Sequence, residues 1–378
     1  MRIPAIHTLD SLRSHLCAAL AVEHFTVPPY LCALYSIPDG TNGEAAAVIQ
    51  SVVMEEMLHM VLVANLLNAV GGEAQINHPS FIPTYPDYLP YSARAFQVSL
   101  QKFSRGQIAT FMRIENPEKA DAPPEGEYFQ SLAQFYAAVR DGLRYLVQQE
   151  RKHNGPKVFS GKPAHQIPRE YYYGGAGELI VVHDLETAEQ AIHEIVDQGE
   201  GAPGKVFESS HEVRPEGMHQ PGHVEMAVAG SGRKRSPALA KHHHAGFSGR
   251  LEPAHYYRFQ ELHEERYYQA GDTAKTGPRG PELPLVWDEV YPMRPNPKAR
   301  DYPRGSAIRG KLDGFNRCYM RLLDQLQAAF TGTPRELVSA VGGMYELKQR
   351  AVELMRIPSG DGDTTVGPSF EYVPPDED

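Results

Sequence analysis

Two long stretches near the start of the chain carry the hydrophobic spacing of α-helices. Over residues 9–36, apolar side chains recur at steps of three and four residues. Pro28-Pro29 lies inside this stretch, and we expect a kink or an interruption there because neither proline can donate a backbone hydrogen bond. Residues 43–70 form a cleaner amphipathic pattern, which ends at the helix-terminating signal Gly71-Gly72. The chain therefore begins with two predicted helices.

The middle of the chain alternates irregular and helical patterns. Residues 73–125 are rich in Pro, Tyr and Ser and are predicted to be irregular, whereas 129–150 return to helical spacing. Residues 169–184 indicate a turn followed by a short strand or extended segment. Asp184 with Thr187 then begins a third amphipathic helix, which is predicted to run to about residue 198.

The last part of the chain combines an unusual segment with further helices. Residues 201–250 are dominated by Gly, Pro, His and basic residues, which is typical of a loosely packed insertion. Helices are predicted at 251–269, 306–330 and 334–356. We therefore predict an all-α protein with a single elaborated domain over 1–358, followed by an extended acidic tail over 359–378.

Ionisable residues lie on the apolar face of the second helix. At the angular spacing of an α-helix, Glu56 and His59 share this face with Val52 and Val63. Charged groups are seldom buried unless they are paired or bind a metal. Glu55 lies at the edge of the same face and is the weaker candidate. Glu56 and His59 also have the Glu-x-x-His spacing that places two metal ligands on adjacent turns.

The same spacing occurs at three other places, and only sequence context separates them. The further pairs are Glu208/His211, Glu216/His219 and Glu252/His255. The first lies in the loosely packed insertion, and the second is broken by Gly217 and flanking prolines. The third lies on a predicted helix whose same face carries Leu251, Phe259 and Leu262. Two Glu-x-x-His pairs therefore remain.

A carboxylate-bridged dimetal site in a four-helix bundle needs two such pairs and one Glu from each of the other two helices. Glu23 is the single acidic residue on the apolar face of the first helix. On the third helix we choose Glu200, with Glu189 second, while Glu194 is predicted to face solvent. The predicted ligands are Glu23, Glu56, His59, Glu200, Glu252 and His255. Four carboxylates and two imidazoles favour iron, or else manganese, over zinc and copper. The alternative is a set of buried ion pairs or of charges on helix surfaces.

Five segments resemble the ferritin-like domain of the iminophenyl-pyruvate dimer synthase family, as found in chromopyrrolate-forming enzymes of violacein and rebeccamycin biosynthesis. They are EHFTVPPYLCALYSI, EEMLHMVLVANLLNAVGG, YYGGAGELIVV, IVDQGEG and AHYYRFQEL. The resemblance spans about residues 8–358 and implies a ferritin-like bundle with the six predicted ligands at matching positions. The sequence departs from the family at Asp197, where we expect Glu, and we find no haem-attachment motif of the kind expected in those longer enzymes.

The fold class that follows is an all-α, ferritin-like four-helix bundle. It carries a long crossover over 73–183, the His- and Gly-rich insertion, and two extra C-terminal helices. The crossover, the insertion and the added helices are more than iron storage needs and could enclose a pocket. This favours an enzyme over a ferritin-type storage or detoxification protein and over a structural metal-binding bundle.

Charge and cysteine content restrict the partners and the compartment. A net charge of −10 argues against nucleic acid and anionic membranes, and no continuous apolar run reaches the roughly 18 residues of a membrane span. Three cysteines without a Cys-x-x-Cys spacing suit buried thiols in a reducing compartment, so we expect a cytoplasmic protein.

The sequence thus predicts a non-haem dimetal oxidase or oxygenase with two iron ions (manganese as the alternative). It would use O₂ and act on an amino acid, or on an imine or keto acid derived from one, in natural-product biosynthesis. The expected partners are the small-molecule substrate and O₂, with no nucleic acid and no membrane. A reductase or a second copy of the chain is left open.

Overall fold

The computed structural model describes residues 6–92, 94–117, 131–172, 177–199, 206, 253–269 and 271–374. Within these residues the chain forms α1 (Leu9–Tyr35), α2 (Gly43–Ala69), α3 (Arg105–Ile114), α4 (Leu132–His153), α5 (Leu185–Gly199), α6 (His255–Glu264), α7 (Ala307–Phe330) and α8 (Glu336–Met355). Short 3₁₀ helices occupy Pro163–His165, Arg169–Tyr171 and Ala299–Asp301. Strands β1 (Asp87–Tyr88) and β2 (Gln97–Val98) pair antiparallel, with Asp87 opposite Val98.

The first helix continues through its two prolines. Thr8 caps α1 by accepting a hydrogen bond from the Ser11 amide at 3.1 Å. Of the kink or interruption expected at Pro28-Pro29, the interruption is wrong, since α1 reaches Tyr35. Pro29 has no N–H to donate to the carbonyl of Phe25. The hydroxyl of Tyr85 donates to that carbonyl instead, at 2.6 Å, so the buried acceptor is satisfied from outside the helix.

Four helices close into a bundle. α1 packs against α2 and α4, and α5 packs against α2 and α4. The end of α2 is confirmed, because the amides of Gly71 and Gly72 donate to Asn68 and Leu67 in the last turn. The crossover of the sequence analysis therefore contains a bundle helix, α4, whose buried stripe includes Phe135 and Tyr136.

A pair of short helices, α3 and α6, lies beside this bundle. α3 packs on α6, and α6 also contacts α2 and α5. The prediction that 73–125 is irregular is wrong over α3, which Ser104 caps by accepting from the Gln107 amide at 3.2 Å. The helix predicted at 251–269 is observed over His255–Glu264, and residues 251–252 lie outside the described residues.

The two predicted C-terminal helices are confirmed, and they add a layer to the bundle. α7 packs on α8, and the pair contacts α2 and α1. The following segment contributes Val366 and Phe370 to the core. The ring of Phe370 meets Phe315 and Tyr319 edge-on, at 4.9 and 5.2 Å between centroids.

The helices α1 and α2 are long and apolar enough, by length and composition, to resemble membrane spans. In the structure 83 % and 78 % of their most apolar windows are buried inside the protein. Their apolar surface is thus used in packing, as expected for the core helices of a bundle. The three cysteines are free, and Cys17 is exposed, contrary to the expectation of buried thiols.

Candidate metal centre

Four of the six predicted ligands meet in the interior. Glu23 comes from α1, Glu56 and His59 from α2, and His255 is the first residue of α6. Each side chain belongs to a residue that is at most 3 % exposed. The two remaining predicted ligands, Glu200 and Glu252, lie outside the described residues.

Glu115 joins this cluster and was missed by the sequence analysis. It follows the last residue of α3 and is fully buried. The Pro- and Tyr-rich sequence around it predicts irregular structure, which gives no helical face on which to place Glu115. An available signal was the acidic residue directly after the buried stripe of Ile108, Phe111 and Ile114.

The ligand atoms form two groups that share one carboxylate. Glu23, Glu56 and His59 each offer an atom within 4.8 Å of the others, and so do Glu56, Glu115 and His255. In the first group Glu23 Oε2 lies 3.4 Å from His59 Nδ1. In the second, His255 Nδ1 lies 3.1 Å from Glu56 Oε1 and 3.5 Å from Glu115 Oε2. Glu56 therefore belongs to both groups, as a shared carboxylate does in a dimetal site of a four-helix bundle.

Each of the three carboxylates has one oxygen held by a hydroxyl group. The pairs are Tyr136 with Glu23 Oε1, Thr26 with Glu56 Oε2 (2.8 Å) and Tyr30 with Glu115 Oε1. In every case the second oxygen is the one that faces an imidazole. The hydroxyl groups thus orient one oxygen of each carboxylate toward the centre.

Both imidazoles direct Nδ1 to the centre and are held at Nε2. His59 Nε2 lies 2.9 Å from Gln198 Oε1. His255 Nε2 lies 2.7 Å from Glu55 Oε2, which also accepts from Arg258 at 2.7 Å. The two rings are nearly parallel, with centroids 5.6 Å apart. Glu55, the weaker ligand candidate, is therefore a partner of His255 on the side away from the centre.

The burial of so many acidic groups changes their proton affinity. Burial, and then the charge of Glu115, raises the pKa of Glu56 to about 7. Burial lowers the pKa of His59, but the interaction with Glu23 outweighs it and the pKa is raised. Burial acts the same way on His255, yet Glu115, Glu55 and Glu56 hold its pKa well above the usual value. The buried carboxylates therefore favour a positive charge beside them, whether a proton or a cation.

The residues present fit a pair of metal ions. Glu115 Oε2 and His255 Nδ1 are buried and have no hydrogen-bond partner among the described residues. The two atoms face each other as an ion pair at 3.5 Å without a hydrogen bond between them, and a bound cation would satisfy both. Carboxylate oxygens with imidazole nitrogens suit iron or manganese.

Two assignments on α5 are settled by the structure. Glu189, the second choice, pairs with Arg144 at the surface and does not reach the centre. Glu194 was predicted to face solvent, which is wrong. Its Oε1 accepts from Gln198 Nε2 at 2.8 Å and from the Glu178 amide at 2.9 Å. The backbone at 177–178 covers this side of α5, a contact that helical phase alone cannot reveal.

A cavity of about 320 Å³ lies on a different side of α2. The end of α1, the start of α2 and α8 enclose it, with Tyr35, Gln50, Met54 and Lys348 in its walls. None of the clustered Glu and His residues lines this cavity. The pocket expected over the metals therefore stays a prediction.

The chain is similar to two curated enzymes. It is 23 % identical to the dichlorochromopyrrolate synthase of Lentzea aerocolonigenes over 97 % of its own length and 36 % of that protein. It is 25 % identical to the 2-imino-3-(indol-3-yl)propanoate dimerase of Chromobacterium violaceum over 54 % of its length and 22 % of that protein. The chain thus spans about a third or less of these relatives. The resemblance to chromopyrrolate-forming enzymes is confirmed.

The fold has a solved counterpart. A crystal structure of a ferritin-like protein from Caulobacter vibrioides matches 98 % of this chain and 100 % of its own, with a TM-score of 0.58 and 20 % sequence identity. The family model described as Ferritin-like matches residues 16–226, a span that holds Glu23, Glu56, His59 and Glu115. This match covers more than half of the chain, which belongs to the ferritin-like family.

Proposed function

We propose that this protein is a non-haem dimetal oxidoreductase that uses O₂ to oxidise a small organic substrate. The observation that carries the proposal is the pair of ligand groups joined through Glu56 inside a ferritin-like bundle. Two neighbouring positions of this kind suit a reaction that moves more than one electron.

In this proposal Glu23 and His59 would hold one ion, Glu115 and His255 would hold the other, and Glu56 would serve both. Glu200 and Glu252 stay predicted ligands. Iron is the metal we expect, with manganese as the alternative. When bound as ferrous ions, the pair would supply electrons for the reduction of O₂.

The protein's own contribution is to fix the positions of these side chains and to exclude water from them. The hydroxyl groups of Tyr136, Thr26 and Tyr30 fix three carboxylates before any ion arrives. Burial excludes water from the centre and strengthens each electrostatic interaction there. Binding therefore requires little rearrangement of the side chains.

The names of the relatives support a substrate class. One is named for an imino acid that bears an indole ring, and the other for the synthesis of dichlorochromopyrrolate. We therefore propose an amino acid, or an imine or keto acid derived from one, as the substrate, in natural-product biosynthesis. We further propose a cytoplasmic location, while a reductase or a second copy of the chain is left open as a partner.

Iron loading separates this proposal from iron storage. Purified protein given excess ferrous iron under air should bind about two ions per chain, since the ligand set serves two positions. Aromatic amino acids and their imino or keto acids should accelerate O₂ uptake by the iron-loaded protein. Iron loading far beyond two ions per chain would favour storage, and a protein that takes up no iron or manganese would overturn the metal centre.

A further inference from the structure

A short chain of hydrogen bonds links the backbone at Gly177-Glu178 to His59. The Glu178 amide donates to Glu194 Oε1 at 2.9 Å, and Gln198 Nε2 donates to the same oxygen at 2.8 Å. The other end of the Gln198 amide, Oε1, lies 2.9 Å from His59 Nε2. The chain reaches the imidazole on the side away from the centre.

The orientation of the Gln198 amide follows from its contacts with Glu194 and His59. An ionised carboxylate can only accept hydrogen bonds, so the NH₂ group must face Glu194. The carbonyl oxygen is then left to face His59. A half-buried carboxylate one helical turn away thus decides which atom of Gln198 the imidazole meets.

The tautomer of His59 follows in turn. An amide oxygen can only accept, so Nε2 must carry the hydrogen. In the neutral ring this leaves the lone pair on Nδ1, the nitrogen that lies 3.4 Å from Glu23 Oε2 and faces the centre. The ring is therefore held ready to bind an ion through Nδ1.

Gly177 lets the backbone close over this chain. Its φ is +136°, and a Cβ at this position would overlap the Gln198 amide and the Glu194 carboxylate most closely, and the Leu58 side chain less so. A side chain at 177 would push Gln198 from its place, although residue 177 itself does not contribute a ligand atom.

We propose that Gln198 is a positioning residue that fixes the metal-binding tautomer of His59, and that Glu194 and the backbone at Gly177-Glu178 hold it there. The proposal rests on the metal centre of the proposed function. Removing such a partner behind a metal-binding histidine typically weakens metal binding 10- to 100-fold.

The test is anaerobic titration of the full chain with ferrous iron alone, with free and bound iron measured after equilibrium dialysis. Gln198→Leu should lower the affinity for one of the two ions about 10- to 100-fold and leave the affinity for the other unchanged. A residue that only fills space would tolerate this swap of similar volume. Circular dichroism checks that helical content is kept.

The double variant Glu194→Gln with Gln198→Glu provides the rescue. The amide now at 194 can accept from the Glu178 amide and donate to the carboxylate now at 198, which accepts from His59. Affinity should return to within about threefold of the wild type, because His59 Nε2 and the Glu178 amide each again meet an acceptor, while only the bond between positions 194 and 198 reverses its direction. If the double variant keeps its helical content but its iron affinity is not restored, the proposal is overturned.

Gly177→Ala tests the backbone clamp without touching a ligand. It should lower the affinity for the same ion as Gln198→Leu does. The two substitutions together should lower that affinity no further than either one alone. Gly40→Ala is the matched control, since φ there is +93° but no atom lies within 4 Å of the added Cβ. It should leave both affinities unchanged.

The outcomes separate the two proposals. A wild type that binds two ions, with Gln198→Leu and Gly177→Ala binding both as tightly, would overturn the positioning role and leave the metal centre standing. A wild type that binds no iron would overturn the metal centre and the positioning role together.

Discussion

The two halves of the candidate metal centre are built from different parts of the fold. The His59 half consists of Glu23 and His59, on the two longest helices of the bundle core, whereas the His255 half consists of Glu115 and His255, at the ends of short flanking helices. Both halves share Glu56. Ligands from a rigid core and ligands from helix ends thus converge on one carboxylate.

The groups behind the two imidazoles also differ. His59 is backed by a neutral amide, whereas His255 is backed by the carboxylate of Glu55, which Arg258 shares. A carboxylate behind a ligand histidine makes the imidazole a better electron donor to a metal. Arg258 also donates to the Pro253 carbonyl at 2.6 Å, which fixes the start of α6. The flanking half thus has the more strongly polarised ligand.

The largest effect is expected at the shared residue. Glu56→Ala should remove both ions, because it takes a ligand from each half, and total iron should fall from about two per chain to near zero. Metal analysis after dialysis measures this, and helical content should be kept. Glu189→Ala, on a carboxylate that pairs with Arg144 at the surface, is the matched control and should retain both ions. Retention of two ions by Glu56→Ala would contradict the bridge.

A smaller effect is expected when one half is removed. His59→Ala and His255→Ala should each retain about one ion per chain, since each variant keeps the other half and Glu56. The ion kept by His59→Ala should bind more tightly, because its imidazole is backed by a carboxylate. Equilibrium dialysis gives both dissociation constants. Equal dissociation constants would contradict the difference expected from Gln198 behind His59 and Glu55 behind His255. Loss of both ions from either variant would show that the two halves do not bind independently.

The smallest effect is expected from the tyrosines that orient single carboxylates. Tyr136→Phe should lower the affinity for the ion of the His59 half about tenfold. Tyr30→Phe should lower the affinity for the ion of the His255 half by a similar factor. Each substitution removes one hydroxyl and keeps the ring. Titration of the single-ion variants above, with and without the tyrosine change, assigns each effect to a half. A Tyr30→Phe effect confined to the His59 half would reverse the assignment.

The sequence predicted the His59 half and missed much of the other. Glu23, Glu56 and His59 lie on long helices whose apolar faces are visible in the local pattern. Glu115 follows a ten-residue helix, too short for a clear period within a Pro- and Tyr-rich stretch. Local amphipathicity also cannot say which neighbour a helix meets. For that reason the sequence places α4 in the crossover and Glu194 on the solvent side, whereas α4 packs in the bundle and the Glu178 amide donates to Glu194.

Pro29 cannot donate to the Phe25 carbonyl, and the Tyr85 hydroxyl donates to it instead. Positions 29 and 85 are therefore expected to change together during evolution. A chain that replaces Tyr85 by Phe while keeping Pro29 leaves a buried acceptor without a donor, a loss of about 1–3 kcal/mol. A chain that replaces Pro29 first regains the donor within the helix and frees position 85 to vary. Substitutions in this lineage should therefore occur at position 29 before position 85, and relatives that lack the proline should tolerate residues other than tyrosine there.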